Sequence, residues 1–228
     1  MEFTEKMHAW IAASFYQEMR AVNFPQCDTV YLHCVYQYGN ERGTRMALRA
    51  LRDGKPLDYN TYAAYREWNP TAASIEEQST NVSECTEITP NYVVHYSRCP
   101  WGEKFREMNE IKAAKLYCSA IDRSVIHGFN PNLKFEVSGC LACDKECVQR
   151  WINANVSLPF AEPDPTNQEN FAFHCGHLYW TFAHTLKDVE PEVGKTVAQR
   201  VLDRFASENG PDAAEILQKY ERNTFTRL

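Results

Sequence analysis

The chain is 228 residues long, 44% hydrophobic, and carries a formal net charge of -6. That length and apolar content suffice for one globular domain, or for one domain with a substantial helical appendage. The acidic balance, with no basic stripe interleaved with aromatics, argues against nucleic acid as a partner and leaves a small molecule as the expected ligand.

Taken in order, residues 3–22 repeat Phe3, Met7, Trp10, Ile11, Phe15, Met19 and Val22 at helical spacing, which predicts an amphipathic helix stopped at Asn23-Phe24-Pro25. The first twenty residues are too polar for the apolar segment of a signal peptide, and no run is long enough to span a bilayer. The expectation is therefore a cytoplasmic chain with no membrane partner. A second helix is predicted over 29–52, with an interruption near Gly39 and a turn at Asp53-Gly54-Lys55-Pro56, and a third over 59–68. Residues 70–83 read as a polar loop, and 85–88 and 92–98 as two strands around Pro90-Asn91.

The next segment carries the chemistry. Leu116 to Asp122 reads as helix, His127-Gly128-Phe129-Asn130-Pro131 as its stop, residues 133–138 as an alternating strand and about 146–153 as another. The expected fold is α+β: a four-stranded antiparallel sheet in the order β-β-α-β-β, covered on one face by the Cys118 helix and flanked by N- and C-terminal helices. A single domain is expected over 1–228, with N-terminal helices over 1–70, the core over 84–155 and a connector rich in proline (Pro159, Pro163, Pro165) over 156–170. Helices predicted at 171–187, 193–207 and 211–220 have apolar faces too broad for an isolated pair to bury. They are expected to cover the core of the same domain; a homo-oligomer sharing those faces is the alternative.

Nine cysteines, an odd number in a chain read as unexported, are expected to be thiols or metal ligands, not a disulfide framework. Cys140, Cys143 and Cys147 form a Cys-x-x-Cys-x-x-x-Cys run. A hairpin bringing them near Cys118 or Cys99 would supply soft ligands for zinc. Cys118 and Asp122 lie four apart on one helix face, so a thiol and a carboxylate can converge on one pocket. The plainer reading makes Cys118 a small core side chain and Asp122 a solvated or capping residue. His174 and His177, three apart, open an aromatic helix, where the pair can ligate a metal or line a polar pocket and a hydrogen-bonded core histidine is the commoner outcome. On the strand 92–98, alternation puts Tyr92, Val94, Tyr96 and Arg98 on one face and Val93, His95 and Ser97 on the other, with either face free to meet the helix. No nucleophile elbow, phosphate loop or dinucleotide fingerprint occurs, so no nucleotide cofactor is implied.

The succession Arg98-Cys99-Pro100, a helix with Tyr117-Cys118 and Asp122, then Gly128-Phe129-Asn130-Pro131, a strand, a turn and a last cysteine resembles the L-2-amino-thiazoline-4-carboxylic acid hydrolase family. The likeness is closest over residues 84–151 and weaker over Tyr38 to Ala47. Cys143-Asp144 stands where that family is expected to carry Gly-Asp. The same segment resembles vinyl-reductase-type ligand-binding domains. The resemblance implies a hydrolase that opens a small nitrogen-containing ring, a cyclic amidine, thiazoline or lactam, by adding water at the sp² carbon. Such a reaction needs a base, a proton donor and a cation for the ring carboxylate. Asp122 with His127 or His95 would move the protons, Arg98 would hold the carboxylate, and Asn130 and His177 would line the substrate. Attack by the Cys118 thiolate is the covalent alternative. The competing reading is a non-catalytic small-molecule or metal-binding sensor.

Overall fold

The computed structural model describes residues 2–160, 162–221 and 224–226. Helix α1 (Glu5–Ala21) starts where the Thr4 hydroxyl accepts from the Met7 N–H at 3.3 Å, which satisfies one of the donors a helix start leaves open. Helix α2 (Cys27–Arg52) runs unbroken through Gly39, where an interruption was expected. The reason is contact with α6 (Ile111–Phe129), because the glycines are points of near backbone contact between the two helices. A Cβ on Gly43 would lie 1.9 Å from the Val125 carbonyl oxygen, and one on Gly128 would lie 2.2 Å from that of Asn40.

Gly43→Ala therefore sets about 1 kcal/mol of better helix propensity against overpacking of a rigid backbone contact, which costs about 1 to 3 kcal/mol or more. The packing term dominates, and we expect a thermal midpoint at least about 3 °C lower. A midpoint equal to or above wild type in calorimetry would show that the crossing tolerates a methyl group.

Helix α3 (Tyr59–Ala64) is shorter than expected, and beyond it the chain carries Glu67 into the interior, where it is fully buried. The stretch expected as loop contains α4 (Ala72–Glu76), capped by the Thr71 hydroxyl on the Ser74 N–H. Strands β1 (Val82–Glu87), β2 (Tyr92–Arg98), β3 (Lys134–Ser138) and β4 (Cys147–Ile152) make one antiparallel sheet in the order β1-β2-β4-β3. Between β2 and α6 the chain forms α5 (Pro100–Glu107), with Pro100 in its first turn, where the missing N–H costs nothing.

Register decides which sheet face meets α6. Tyr96 pairs with Cys147, Val94 with Gln149, and Tyr92 with Trp151, while Val137 and Phe135 flank Gln149 and Trp151 from the other side. These alternate residues share the α6 side, and His95 is turned to the opposite face.

Helices α7 (Phe171–Val189), α8 (Pro191–Asn209) and α9 (Pro211–Gln218) follow. Their buried residues Phe182, Phe205 and Leu217 belong to one apolar cluster with Phe15, Tyr31 and Phe105. The proline-rich stretch is tied down near its end, where Arg49 donates to the Asn167 carbonyl at 3.0 Å and the Glu169 N–H donates to the Glu67 carbonyl at 2.8 Å. No described helix is long and apolar enough to cross a membrane.

Candidate active site

Between α6 and the sheet lies a cleft of about 230 Å³. Helix α6 contributes Cys118 and Asp122 to one wall, as their four-residue spacing requires. The sheet contributes Tyr96, Cys147 and Gln149 to the wall opposite, and Cys99, at the junction of β2 and α5, lies at its end. Arg42 reaches in from α2, with Trp68 and Trp101 beside it.

Asp122 is fixed by Gln149, whose Nε2 donates to Oδ2 at 2.9 Å. Burial pushes its pKa up to about 6, against the opposing pull of Arg42 and of the Gln149 hydrogen bond. A carboxyl group poised there is ionised at neutral pH and basic enough to accept a proton from water.

Arg42 is 6% exposed. It belongs to a buried cluster around Glu67, in which Arg45 forks onto the carboxylate at 2.6 and 2.7 Å and Arg49 reaches it at 2.9 Å. Arg42 comes last: its Nε is 3.6 Å from Glu67 and has no hydrogen-bond partner among the described residues. Its guanidinium lies 4.8 Å from the Trp68 ring and 5.7 Å from that of Tyr38. A permanently charged guanidinium lining a cleft suits a carboxylate.

Among the thiols, burial raises Cys147 to about 12 and Cys99 to about 11, so both stay protonated at neutral pH. The Sγ atoms of Cys118 and Cys140 are 3.6 Å apart. In that pair Cys140 is lowered, by its hydrogen bond with Cys118 and, against burial, by the Ala142 N–H, and Cys118 is raised, by the same hydrogen bond and by burial.

Several residues expected in the site stand elsewhere. His95 is on the outer sheet face, 3.0 Å from the Glu146 carboxylate. His127 is exposed and meets the Tyr36 hydroxyl at 3.0 Å, since five positions beyond Asp122 a helix has turned away from the cleft. Arg98 follows Tyr96 by alternation but does not line the cleft, and its Nε donates to the Thr80 carbonyl at 3.0 Å. Asn130 ties the end of α6 to the Leu57 carbonyl at 2.7 Å. His177 is fully buried between α7 and α2, 2.8 Å from Glu41 and stacked on Phe225, and desolvation followed by Arg45 holds its pKa well below the usual imidazole value.

The three cysteines expected as zinc ligands are not gathered into one donor set among the described residues. Cys140 is turned toward Cys118, Cys143 is exposed and Cys147 faces the cleft from β4. Among the described residues no three His, Cys, Asp or Glu side chains are grouped to hold a metal ion.

Arg42 and Gln149 had no place in the sequence reading. A signal for Arg42 exists: Tyr38, Arg42, Arg45 and Arg49 recur at spacings of four, three and four, and so lie on the same α2 face as the buried Tyr31 and Val35. Arginines on an apolar face are buried cations in need of a purpose.

No curated protein and no solved structure matches the chain. A family model does, that of L-2-amino-thiazoline-4-carboxylic acid hydrolase, over residues 4–151. That span is more than half of the chain and includes Arg42, Trp68, Cys118, Asp122, Cys147 and Gln149, whereas α7 to α9 lie beyond it. The chain thus belongs to the L-2-amino-thiazoline-4-carboxylic acid hydrolase family.

Proposed function

We propose that the protein hydrolyses a small nitrogen-containing ring bearing a carboxylate, of the cyclic amidine or thiazoline type, in the cleft between α6 and the sheet. The observation that carries this reading is the convergence of two groups on one cavity: Arg42, a buried cation whose Nε has no hydrogen-bond partner among the described residues, and Asp122, a carboxylate raised to about 6. In this scheme Arg42 holds the ring carboxylate and Asp122 takes a proton from the water that adds to the sp² carbon between the heteroatoms. The adduct then collapses with cleavage of the ring C–N bond, and the proton on Asp122 passes to the departing nitrogen. Tyr96, whose phenol is kept protonated by burial and by Asp122, offers a neutral O–H donor on the opposite wall.

Mass-spectrometric screening of cyclic amidines, thiazolines and lactams, each with and without a ring carboxylate, tests the assignment. Wild type is expected to open the carboxylated rings selectively. Arg42→Gln removes a charge-assisted contact worth about 1.5 to 3 kcal/mol, so kcat/KM for those rings should fall by roughly one to two decades, mainly through KM. An unchanged preference for the carboxylated ring in that variant would remove Arg42 from the binding role.

A further inference from the structure

Three thiols stand in a row from the surface to the cleft. Cys143 is exposed and sits in the same turn as Cys140, its N–H donating to the Cys140 carbonyl. Cys140 is buried, with its Sγ 3.6 Å from that of Cys118, and Cys118 lines the cleft one turn ahead of Asp122. The segment Cys140-Leu141-Ala142-Cys143 is wound into a turn in which the Cys143 and Asp144 N–H groups donate to the Cys140 carbonyl at 2.9 and 2.7 Å. The Asp144 carboxylate accepts from the Cys140 N–H at 2.7 Å, and Arg106 donates to the carbonyls of Leu141 and Ala142. The backbone is thus held by its own hydrogen bonds, with Cys140 and Cys143 in one turn and Cys118 beside Cys140. Cys-x-x-Cys is a spacing used for dithiol exchange. Here the second cysteine is the outer one, and Cys118 adds a third thiol on the inner side.

We propose that Cys143, Cys140 and Cys118 form a thiol–disulfide relay by which a small disulfide, such as oxidised glutathione, leaves a Cys118–Cys140 disulfide in the cleft wall. The Cys143 thiolate attacks the small disulfide, forms a mixed disulfide and releases one small thiolate. Cys140 then attacks the Cys143 sulfur, expels the second small thiolate and forms a Cys140–Cys143 bond. Cys118 finally attacks Cys140, and Cys143 leaves as a thiolate. Overall, two protein thiols give up two electrons and two protons, and one small disulfide becomes two thiols. The last bond requires the two sulfurs to close from 3.6 Å to about 2.0 Å. The oxidant needs to reach only the exposed outer thiol. The effect on turnover rests on the hydrolase reading, because the disulfide removes the Cys118 thiol from beside Asp122; the chemistry of the relay does not.

The test uses the reduced full-length protein, equilibrated in glutathione buffers of rising oxidised fraction, blocked with iodoacetamide, digested without reduction and mapped by mass spectrometry. A peptide pair joined through Cys118 and Cys140 should accumulate, with the intact chain lighter by two hydrogens, and dithiothreitol should reverse it. Cys143→Ser should slow its formation about tenfold or more, with the half-oxidation ratio unchanged. Cys118→Ser should stop the relay at a Cys140–Cys143 bond. Glutathione retained on Cys143 with Cys118 still alkylated would overturn the proposal, as would a Cys143→Ser chain that oxidises at the wild-type rate. The map needs no turnover, so a failed relay and a failed hydrolase assignment give separate results.

Discussion

Asp122→Asn is expected to lower turnover by roughly two to four decades, the usual loss when a general base is removed, and at the same time to make the protein more stable at neutral pH. Asparagine keeps the shape and can still accept from Gln149, so the fold is preserved while the base is lost. The stability gain follows from linkage. In the folded chain Asp122 sits at about 6, above the ordinary 3.8, so between those values the folded state holds a proton that the unfolded state has released. Stability therefore falls as pH rises through that window, and the deficit persists above it. Because the carboxylate opens onto the cleft, the deficit is discounted to on the order of 1 to 2 kcal/mol. The variant should melt above wild type at pH 7.5, and the gap should close below pH 4. A variant that is less stable than wild type at neutral pH would mean that Asp122 serves the fold.

The second large effect is expected at Glu67. Burial pushes its carboxyl pKa up, but Arg45, Arg42 and Arg49 together outweigh that and hold it below the usual value. Removing one partner of a buried ion cluster leaves uncompensated charge, which costs about 3 to 5 kcal/mol. In Glu67→Gln the three guanidiniums would keep, among the described residues, the one carboxylate of Glu169, which is 3.3 Å from Arg49 and at the cluster's margin. We expect a destabilisation of that size in denaturant titrations at pH 7. Because Glu67 contributes its stability only while ionised, the difference from wild type should shrink as pH falls below its unfolded value of 4.5. A loss under about 1 kcal/mol would place the cluster among weakly coupled surface pairs.

Much of this architecture was legible in the sequence because it follows from local periodicity. The helical repeat from Phe3 to Val22, the alternation from Tyr92 to Arg98 and the proline stops each describe one element and need no knowledge of its neighbours. Cys118 and Asp122 were legible as a pair for the same reason, since a four-residue spacing on a helix fixes a shared face. What the sequence left open depended on contacts distant along the chain. Gly39 reads as a helix break when α2 is considered alone, and only the close approach of α6 makes the small residue useful there. Arg98 and His95 were equally eligible until strand register turned His95 outward and the Thr80 carbonyl took Arg98. The Cys140, Cys143, Cys147 run has ligand-like spacing, but Cys147 is carried onto β4 away from the turn at 140–143, and the three are not gathered as one donor set among the described residues. Arg42 was hidden by its distance from Asp122 in sequence, eighty positions on another helix.

The central claim is that Arg42 and Asp122 frame a site where a carboxylate-bearing ring is opened by water. The most direct measurement is the pH dependence of kcat/KM for 2-amino-thiazoline-4-carboxylate, followed by mass spectrometry for the wild type and Asp122→Asn side by side. The account predicts that wild type consumes the ring with an acidic limb near pH 6, and that the variant is nearly silent across the range. A wild-type chain that binds the ring without consuming it, or a variant that opens it as fast as wild type, would contradict the account.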